Sequence, residues 1–360
     1  MRVCFFSMST GRGGAERVLT TLCNSWPYDD ELALLSCFDA KDGYSAQVRQ
    51  ISLMSAEEYF RRGRVRAFPL LSRLYRDAIR EIQPDVIVCF LPLPCAIAYV
   101  NRRRLGVPII GAERANPYIA YHNDFLKNIF DHIYSGMDGF VFQTHMAADA
   151  FSRKCKEKAV IIENPLDGKV FAYVGERKPD RNEIVSVGRF AFEKNYPLLI
   201  EAFAAVHERF PEAYLRIYGK EDPALGIRER ISALGLEDSV FLMGQTDDVA
   251  GAIHNAGIFV LSSKSEGMPN ALMEAMALGL PCVATDCPSG GPRELISDHV
   301  NGLLVPNENA KALTDAICEM LEQPEMADEL GRHAAEVRDR YKTEEICREW
   351  KEYLLKICKL

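Results

Sequence analysis

The chain has 360 residues, a length that suits two α/β domains, each able to bury its own core. Hydrophobic residues make up 48% of it and charged residues 26%, which is typical of a soluble globular protein. No apolar run approaches the roughly 20 residues of a transmembrane helix, and the first apolar stretch is too short for a signal peptide, so we expect a cytoplasmic protein.

Charge is distributed unevenly along the chain. Residues 1–164 carry 21 Lys and Arg against 18 Asp and Glu, whereas the remaining residues carry 22 against 33. A basic amino half predicts that this half meets an anionic partner. Nucleic acid is not expected, because no nucleic-acid-binding motif accompanies the charge. The 11 cysteines form no Cys-x-x-Cys pair and indicate reduced, buried thiols.

The first half of the chain alternates strand-like and helix-like segments, which favours a parallel sheet covered by helices. The predicted strands are 2–8, 31–37, 85–90 and 108–113, and the predicted helices are 14–26 and 70–82. Gly11, Gly13 and Gly14 lie where the first strand turns into the first helix. Backbone contact with a diphosphate or an acceptor fits these glycines, and a tight structural turn fits them equally well.

A basic stretch spans residues 59–82. Its seven arginines alternate with aromatic and aliphatic residues, and its acidic residues are Asp77 and Glu81. The pattern predicts a surface for anionic lipid headgroups or for the pyrophosphate of an acceptor, with a solvated helix face as the alternative. The arginines proposed for this contact are Arg61, Arg62, Arg64, Arg66 and Arg73.

A second alternation of strands and helices follows a polar linker at residues 164–181. Its predicted strands are 184–187, 214–218, 240–243, 257–261 and 280–285. We therefore expect a first domain over residues 1–164, a second over 165–342 and a charged amphipathic helix over 343–360. In two doubly wound domains the active site would lie in a cleft between them.

The segment 265–274 holds two carboxylates, Glu266 and Glu274, separated by a turn that runs into a predicted helix. Pro269 suits the first helical position, and good helix formers follow over 270–278. Free N–H groups at a helix start attract anions and hydroxyl oxygens. The pattern therefore predicts a site that binds phosphates on backbone donors and sugar hydroxyls on carboxylates. Two solvated surface carboxylates are the alternative.

These motifs resemble those of retaining nucleotide-sugar glycosyltransferases of family 4, which have the GT-B fold. The segments that carry the resemblance are 13–17, 186–190 with Lys194, 266–274 and 301–306. The resemblance implies two Rossmann-like, doubly wound parallel-sheet domains facing a cleft, and a C-terminal helix that crosses back onto the first domain. It is closest to members that extend membrane-linked oligosaccharides with UDP-hexoses or UDP-N-acetylhexosamines.

The resemblance also implies roles for individual residues. Glu274 would accept hydrogen bonds from the donor ribose, and Glu266 would bind hydroxyls of the transferred sugar. Arg189 and Lys194 would stabilise the leaving diphosphate, since the sequence has no Asp-x-Asp triplet to hold a metal. The donor-binding residues are then Gly13, Gly14, Gly188, Gly267, Met268, Asn270, Ala271 and Glu274.

One position departs from the family pattern, because Arg114 stands where much of the family has a histidine. Arg114 would contact the donor phosphates or sugar instead, with Glu113 orienting it. The nearest histidine, His122, is predicted to be a helix residue. The seven histidines show no metal-ligand spacing, so we expect no metal and no cofactor besides the UDP-sugar substrate.

We therefore predict a metal-independent retaining hexosyltransferase that moves a hexose or N-acetylhexosamine from a UDP-sugar to a lipid-linked or surface-polysaccharide glycan. It would act in the cytoplasm, peripherally associated with the inner face of the cytoplasmic membrane. Two alternatives stay open: a UDP-sugar epimerase of the same fold, which has no membrane-bound acceptor, and a non-catalytic partner subunit that binds a nucleotide sugar.

Overall fold

The computed structural model describes residues 1–11, 13–40, 43–114, 116–121, 123–175 and 177–359. His122, predicted above to be a helix residue, lies outside the described residues. The chain divides into two compact units. Unit 1 comprises Met1–Pro165 and Lys342–Leu360, and unit 2 comprises Leu166–Tyr341.

Unit 1 contains a seven-stranded parallel sheet within its described residues. Its strands are β1 Arg2–Ser9, β2 Glu31–Phe38, β3 Arg49–Met54, β4 Val86–Phe90, β5 Ile109–Ala112, β6 Gly139–Phe142 and β7 Ala159–Ile161. Its helices are α1 Gly14–Asn24, α2 Ala56–Ile82, α3 Pro92–Leu105, α4 Pro117–Ala120, α5 Asp124–Ser135, α6 His145–Asp149 and α7 Arg153–Lys156. The strand order is β3-β2-β1-β4-β5-β6-β7, so the side on which successive strands are added changes between β1 and β4.

Unit 2 contains a six-stranded parallel sheet of order β10-β9-β8-β11-β12-β13. Its strands are β8 Asp180–Val187, β9 Tyr214–Tyr218, β10 Val240–Gly244, β11 Ala256–Leu261, β12 Cys282–Asp286 and β13 Leu303–Pro306. Its helices are α8 Tyr196–Arg209, α9 Ile227–Ala233, α10 Val249–Ile253, α11 Asn270–Ala277, α12 Gly291–Leu295, α13 Ala310–Glu322, α14 Pro324–Ala334 and α15 Val337–Arg340. Among the described residues of this unit, 3-10 turns cover Gly168–Tyr173, Phe192–Lys194 and Pro223–Leu225.

The last helix of the chain, α16 (Thr343–Cys358), packs on unit 1. Trp350 is fully buried and stacks on Phe90 of β4, with ring centroids 5.9 Å apart. The hydroxyl of Tyr353 accepts a hydrogen bond from the Phe140 N–H at 2.9 Å, next to the start of β6. Residues from the end of the chain therefore complete the core of unit 1.

The predicted α/β class, with two Rossmann-like doubly wound sheets, is confirmed. The central strands are almost wholly buried, as in β4 and β11, because helices cover both faces of a parallel sheet. Strands β3, β6, β7 and β13 were not predicted from the sequence. Most side chains of β3 are exposed or half-buried at the sheet edge, and the other three strands have four residues or fewer.

Two predicted boundaries are wrong. Helix α2 begins at Ala56 rather than near residue 70, because Ser55 caps it by accepting a hydrogen bond from the Glu58 N–H. The predicted linker over 164–181 is also shorter, since its last residues already belong to β8. Among the described residues, none of the helices combines the length and the apolar composition that crossing a bilayer requires.

Candidate active site

In the sheet of unit 2, the order in which successive strands are added reverses between β8 and β11. Ligands of such sheets bind at this switch point, where the loops leave the carboxyl ends of the two strands. The loop after β8 carries Gly188, Arg189 and Lys194, and the loop after β11 carries Glu266. The strand order therefore brings residues from distant parts of the sequence to one edge of the sheet.

Lys194 and Glu266 form the centre of this edge. The Lys194 Nζ lies 2.6 Å from Oε1 of Glu266, and the two side chains are 19% and 12% exposed. Gly188 makes room for the lysine, since a Cβ at that position would lie 3.0 Å from the Lys194 Cε. Two side chains predicted separately to act on the donor are thus in direct contact.

The backbone of Glu266 is fixed from both sides. Its N–H donates to the Pro288 carbonyl at 2.9 Å, and its carbonyl accepts from the Ser289 N–H at 2.9 Å. Gly291 lies against Gly267, where an added Cβ would meet the Gly267 carbonyl oxygen at 1.7 Å. The loop after β11 is therefore locked to the loop after β12, which gives a site of the preorganised kind that charge stabilisation requires.

Helix α11 follows this loop and begins at Asn270. Pro269 is its N-cap residue, with ψ of 101°, so the prediction that Pro269 is the first helical residue is wrong by one position. Glu274 is buried, at 2% exposure, so the alternative of two solvated carboxylates does not hold. Met268 is also buried, whereas Gly267, Asn270 and Ala271 are half-buried at the start of the helix.

Arg189 lies on the loop after β8 but points to solvent. Its side chain is 69% exposed, and its Nη2 lies 3.5 Å from Oε1 of Glu193. Exposed pairs of this kind contribute little to stability. The guanidinium is therefore accessible to an anionic ligand, but the structure does not bring it to the Lys194–Glu266 pair as a direct partner.

Gly13 and Gly14 belong to unit 1, at the carboxyl end of β1. Gly13 is the N-cap of α1, and the side chain of Glu16 lies directly over it. An added Cβ on Gly13 would come within 2.2 Å of the Glu16 Oε2, while Oε1 accepts a hydrogen bond from the Ser9 hydroxyl at 3.0 Å. A carboxylate of the chain itself thus sits over Gly13 at the start of this helix.

Arg114 is buried in unit 1. Its guanidinium carbon lies 4.7 Å from the ring centroid of Phe90 and 5.5 Å from that of Trp350, and Nη1 donates to Oδ1 of Asn164 at 3.0 Å. Burial lowers the pKa of Arg114 to about 9, and the nearby Glu113 partly opposes that shift.

Glu113 does not orient the Arg114 guanidinium as predicted. Its Oε2 accepts hydrogen bonds from the hydroxyls of Tyr121 and Tyr134, and its Oε1 accepts one from the backbone N–H of Arg114. The prediction is wrong because two buried tyrosines, which lie further along the chain, occupy the carboxylate. Among the described residues, Asn164 accepts the hydrogen bond of the guanidinium.

The basic stretch lies on α2, where Gly63 interrupts the helix with a φ of 73°. Arg61, Arg62, Arg66 and Arg73 are exposed, and the side chain of Arg64 lies outside the described part of the chain. Phe60 and Val65 beside the break are 70% and 86% exposed. An apolar and basic surface therefore surrounds Gly63.

The remainder of the basic stretch serves the fold. Leu71 and Tyr75 are fully buried in the core of unit 1, so they are not part of an exposed apolar surface. Arg76 donates to Oδ1 of Asn101 at 2.9 Å, and Arg80 lies 3.4 Å from Asp77. The candidate docking surface is therefore confined to the exposed residues of α2.

Ser263 was not predicted from the sequence, and its hydroxyl donates to Oε1 of Glu266 at 2.6 Å. Ser262 was not predicted either, and its hydroxyl donates to the Lys194 carbonyl at 2.9 Å. The available signal was a pair of serines directly after a buried strand and before Glu266. Across the described residues, no three His, Cys, Asp or Glu side chains are grouped as metal ligands would be.

Comparison with known proteins gives a consistent match across both units. Residues 12–169 match the family model Glycosyltransferase Family 4, and residues 173–337 match the model Glycosyl transferases group 1. An uncharacterized glycosyltransferase of Haemophilus influenzae is 25% identical over 97% of this chain and 99% of its own.

Two further similar proteins are named for a substrate or were crystallised with a ligand. The N-acetylgalactosamine-N,N'-diacetylbacillosaminyl-diphospho-undecaprenol 4-alpha-N-acetylgalactosaminyltransferase of Campylobacter jejuni is 26% identical over 97% of this chain and 98% of its own. The crystal structure of Anabaena HepE in complex with UDP-glucose superposes with a TM-score of 0.82 at 17% identity, covering 99% of this chain and 100% of that one. At this low identity, the likeness to HepE shows a shared fold alone.

Proposed function

The chain is a glycosyltransferase of the GT-B type, and on that premise we propose that it transfers a hexose or an N-acetylhexosamine from a UDP-sugar, with retention of anomeric configuration. The acceptor is a lipid-linked or surface-polysaccharide glycan. The observation that carries the proposal is the contact between Lys194 and Glu266 at the carboxyl edge of the unit 2 sheet. In this pair, a cation that can bind a phosphate lies next to a carboxylate that can bind a sugar hydroxyl.

The reaction that we propose needs both groups. The bond from C1 of the sugar to the phosphate oxygen breaks, the acceptor hydroxyl oxygen bonds to C1 on the same face, and its proton passes to the leaving phosphate. Lys194 and the exposed guanidinium of Arg189 stabilise the negative charge that develops on the diphosphate. We assign this work to cations rather than to a metal because the sequence lacks an Asp-x-Asp triplet.

Glu266 acts in this proposal as a hydroxyl acceptor and electrostatic group rather than as a nucleophile. A carboxylate near an oxocarbenium-like centre lowers the energy of the positive charge there. Glu274 accepts hydrogen bonds from the donor ribose, and the half-buried start of α11 supplies backbone N–H groups to the phosphates. The remaining donor contacts that we propose in unit 2 are Gly188, Gly267, Met268, Asn270 and Ala271, and the roles expected of Gly13, Gly14 and Arg114 in unit 1 stay predictions.

The donor and acceptor classes draw on two similar proteins. HepE was crystallised with UDP-glucose, and the Campylobacter jejuni enzyme is named for transfer of N-acetylgalactosamine to a diphospho-undecaprenol glycan. A lipid-linked acceptor fits the exposed arginines of α2, since each basic residue near an anionic membrane contributes about 1 kcal/mol. We propose that the protein docks peripherally on the cytoplasmic face of the membrane through Phe60, Val65 and these arginines.

The direct test is a screen of UDP-sugars for turnover and for thermal stabilisation, repeated with a lipid-pyrophosphate glycan as acceptor. We expect one UDP-hexose or UDP-N-acetylhexosamine to be consumed, with an α-anomeric product by NMR if the donor is α-linked. ADP- and GDP-sugars serve as matched controls. An inverted product would contradict retention, and failure of every UDP-sugar to bind would contradict the donor assignment.

A further inference from the structure

We infer that Ser263, itself held by Thr285, is a positioning residue that determines which oxygen of Glu266 faces the transferred sugar. The inference rests on the proposed function, because it assigns Glu266 to a donor-sugar hydroxyl. It adds two residues, Ser263 and Thr285, that the comparisons and the sequence motifs leave without a role. Their contacts form one continuous path from the buried sheet to the carboxylate.

Glu266 presents its two oxygens to different surroundings. Lys194 Nζ and Ser263 Oγ both lie 2.6 Å from Oε1. Among the described residues, none donates a hydrogen bond to Oε2, and Oε2 is not one of the buried polar atoms that lack a partner. Oε2 therefore keeps contact with solvent, and a ligand hydroxyl can bind there without displacing a protein donor.

Ser263 is placed by the strand next to it. It is fully buried and lies two residues beyond the end of β11, where the parallel ladder has ended. The hydroxyl of Thr285, at the end of β12, donates to the Ser263 carbonyl at 2.6 Å. Thr285 is also fully buried, so this hydrogen bond continues the contact between the strands beyond their ladder.

The neighbours of Ser263 fix the lysine in the same way. The hydroxyl of Ser262 donates to the Lys194 carbonyl at 2.9 Å, and the N–H of Lys264 donates to the Glu193 carbonyl at 2.8 Å. Three consecutive residues thus hold the Lys194 segment and the Glu266 carboxylate together. Ser263 is the member of this set that acts on the carboxylate directly.

The arrangement has a chemical consequence. A carboxylate with no donor on either oxygen can rotate about its last bond and present either one to a ligand. With Lys194 and Ser263 on Oε1, rotation would break two short hydrogen bonds, so Oε2 stays in place for the sugar. If a bound diphosphate draws the lysine away from Glu266, Ser263 still holds Oε1. The serine is therefore needed most when donor is bound.

The first measurement compares Ser263→Ala with the wild type. We expect kcat/KM for the donor to fall about ten- to a hundred-fold, as for a lost hydrogen bond to a charged group. The affinity for UDP, which lacks the transferred sugar, should change less than about twofold. Ser239→Ala removes another buried serine hydroxyl of unit 2, bonded to the Leu236 carbonyl, and serves as the matched control.

The second measurement uses UDP-sugars that each lack one hydroxyl. In the wild type, one deoxy donor should lose rate because Oε2 loses its partner. In Ser263→Ala the same deoxy donor should lose far less, because the carboxylate is already misplaced and the two changes are non-additive. A purely structural serine would leave the penalty for the deoxy donor unchanged, and that result would overturn the inference.

Thr285 supplies a second pair of variants in case Ser263→Ala fails to fold. Thr285→Ser keeps the hydroxyl and should retain the wild-type deoxy-donor penalty, whereas Thr285→Val keeps the shape without the hydroxyl and should reduce it. Equal behaviour of the two variants would refute the positioning role. If the wild type neither binds UDP nor turns over any UDP-sugar, the proposed function fails first, so the two failures are distinguishable.

Discussion

Lys194→Ala tests the central assignment most directly, because the structure predicts two separate effects of this change. The lysine is 19% exposed and pairs with a carboxylate that is 12% exposed, so its loss leaves Glu266 poorly hydrated. A hydrogen bond to a charged group contributes about 1.5–3 kcal/mol. We expect the free energy of unfolding to fall by an amount near the lower end of that range, since both groups retain some contact with solvent.

The effect on catalysis should be larger than the effect on stability. Loss of one donor to a developing negative charge lowers kcat by about 100- to 1000-fold in comparable sites. Arg189→Ala should also lower kcat more than it lowers donor affinity, but leave stability unchanged, since its pair with Glu193 is exposed and 3.5 Å long. Lys194→Ala should therefore be the less stable of the two variants, because Lys194 is more buried than Arg189.

The assay is steady-state transfer from the UDP-sugar, together with calorimetric binding of UDP and urea unfolding. Lys311→Ala is the matched control, because Lys311 pairs with Asp315 on α13 and is 85% exposed. A Lys194→Ala enzyme whose kcat stays within about threefold of the wild type would contradict the role of Lys194 in stabilising the leaving diphosphate. In particular, a variant whose donor affinity falls while its kcat stays unchanged would show that the lysine binds substrate and transition state alike.

Three further predictions concern the ribose contact, the metal and the membrane. Glu274→Ala should weaken UDP-sugar binding by roughly 1.5–3 kcal/mol in calorimetry, whereas the exposed Glu325→Ala should not; wild-type affinity would remove Glu274 from the site. EDTA should leave transfer intact, and an absolute requirement for Mg²⁺ or Mn²⁺ would overturn the assignment of Arg189 and Lys194. Changing Arg61, Arg62, Arg64 and Arg66 to Gln should abolish sedimentation with anionic vesicles, and wild-type binding should fall as salt shortens screening to about 8 Å or less. Four exposed arginines of unit 2, Arg181, Arg228, Arg293 and Arg332, give the matched charge control; equal loss in both sets would leave α2 without a specific role.

The elements that the sequence predicts best are those whose side chains are buried on both faces. An unbroken apolar run such as β4 or β11 has one plausible place in a doubly wound sheet. The edge strand β3 carries polar side chains and gives no such signal. The first turns of α2 were predictable, because Ser55 followed by Glu58 is a capping-box pattern that the sequence analysis did not use.

The contacts of the candidate site depend on strand order, which local patterns do not contain. Lys194 and Glu266 were each identified from their own motif, but their contact requires β8 and β11 to be neighbours. The surroundings of Arg114 were beyond prediction for a similar reason. Trp350, which stacks against it, comes from the far end of the chain, and Asn164 lies beyond β7.

The position of α16 determines when unit 1 can finish folding during synthesis. Unit 2 is one continuous stretch, so its whole core exists once residue 341 has left the ribosome. Unit 1 precedes unit 2 in the chain, yet its core is complete only after Trp350 has packed on Phe90 and Tyr353 has bonded to the Phe140 backbone. The unit that is synthesised first therefore finishes folding last, and a chain truncated before residue 343 leaves its apolar surface open to aggregation.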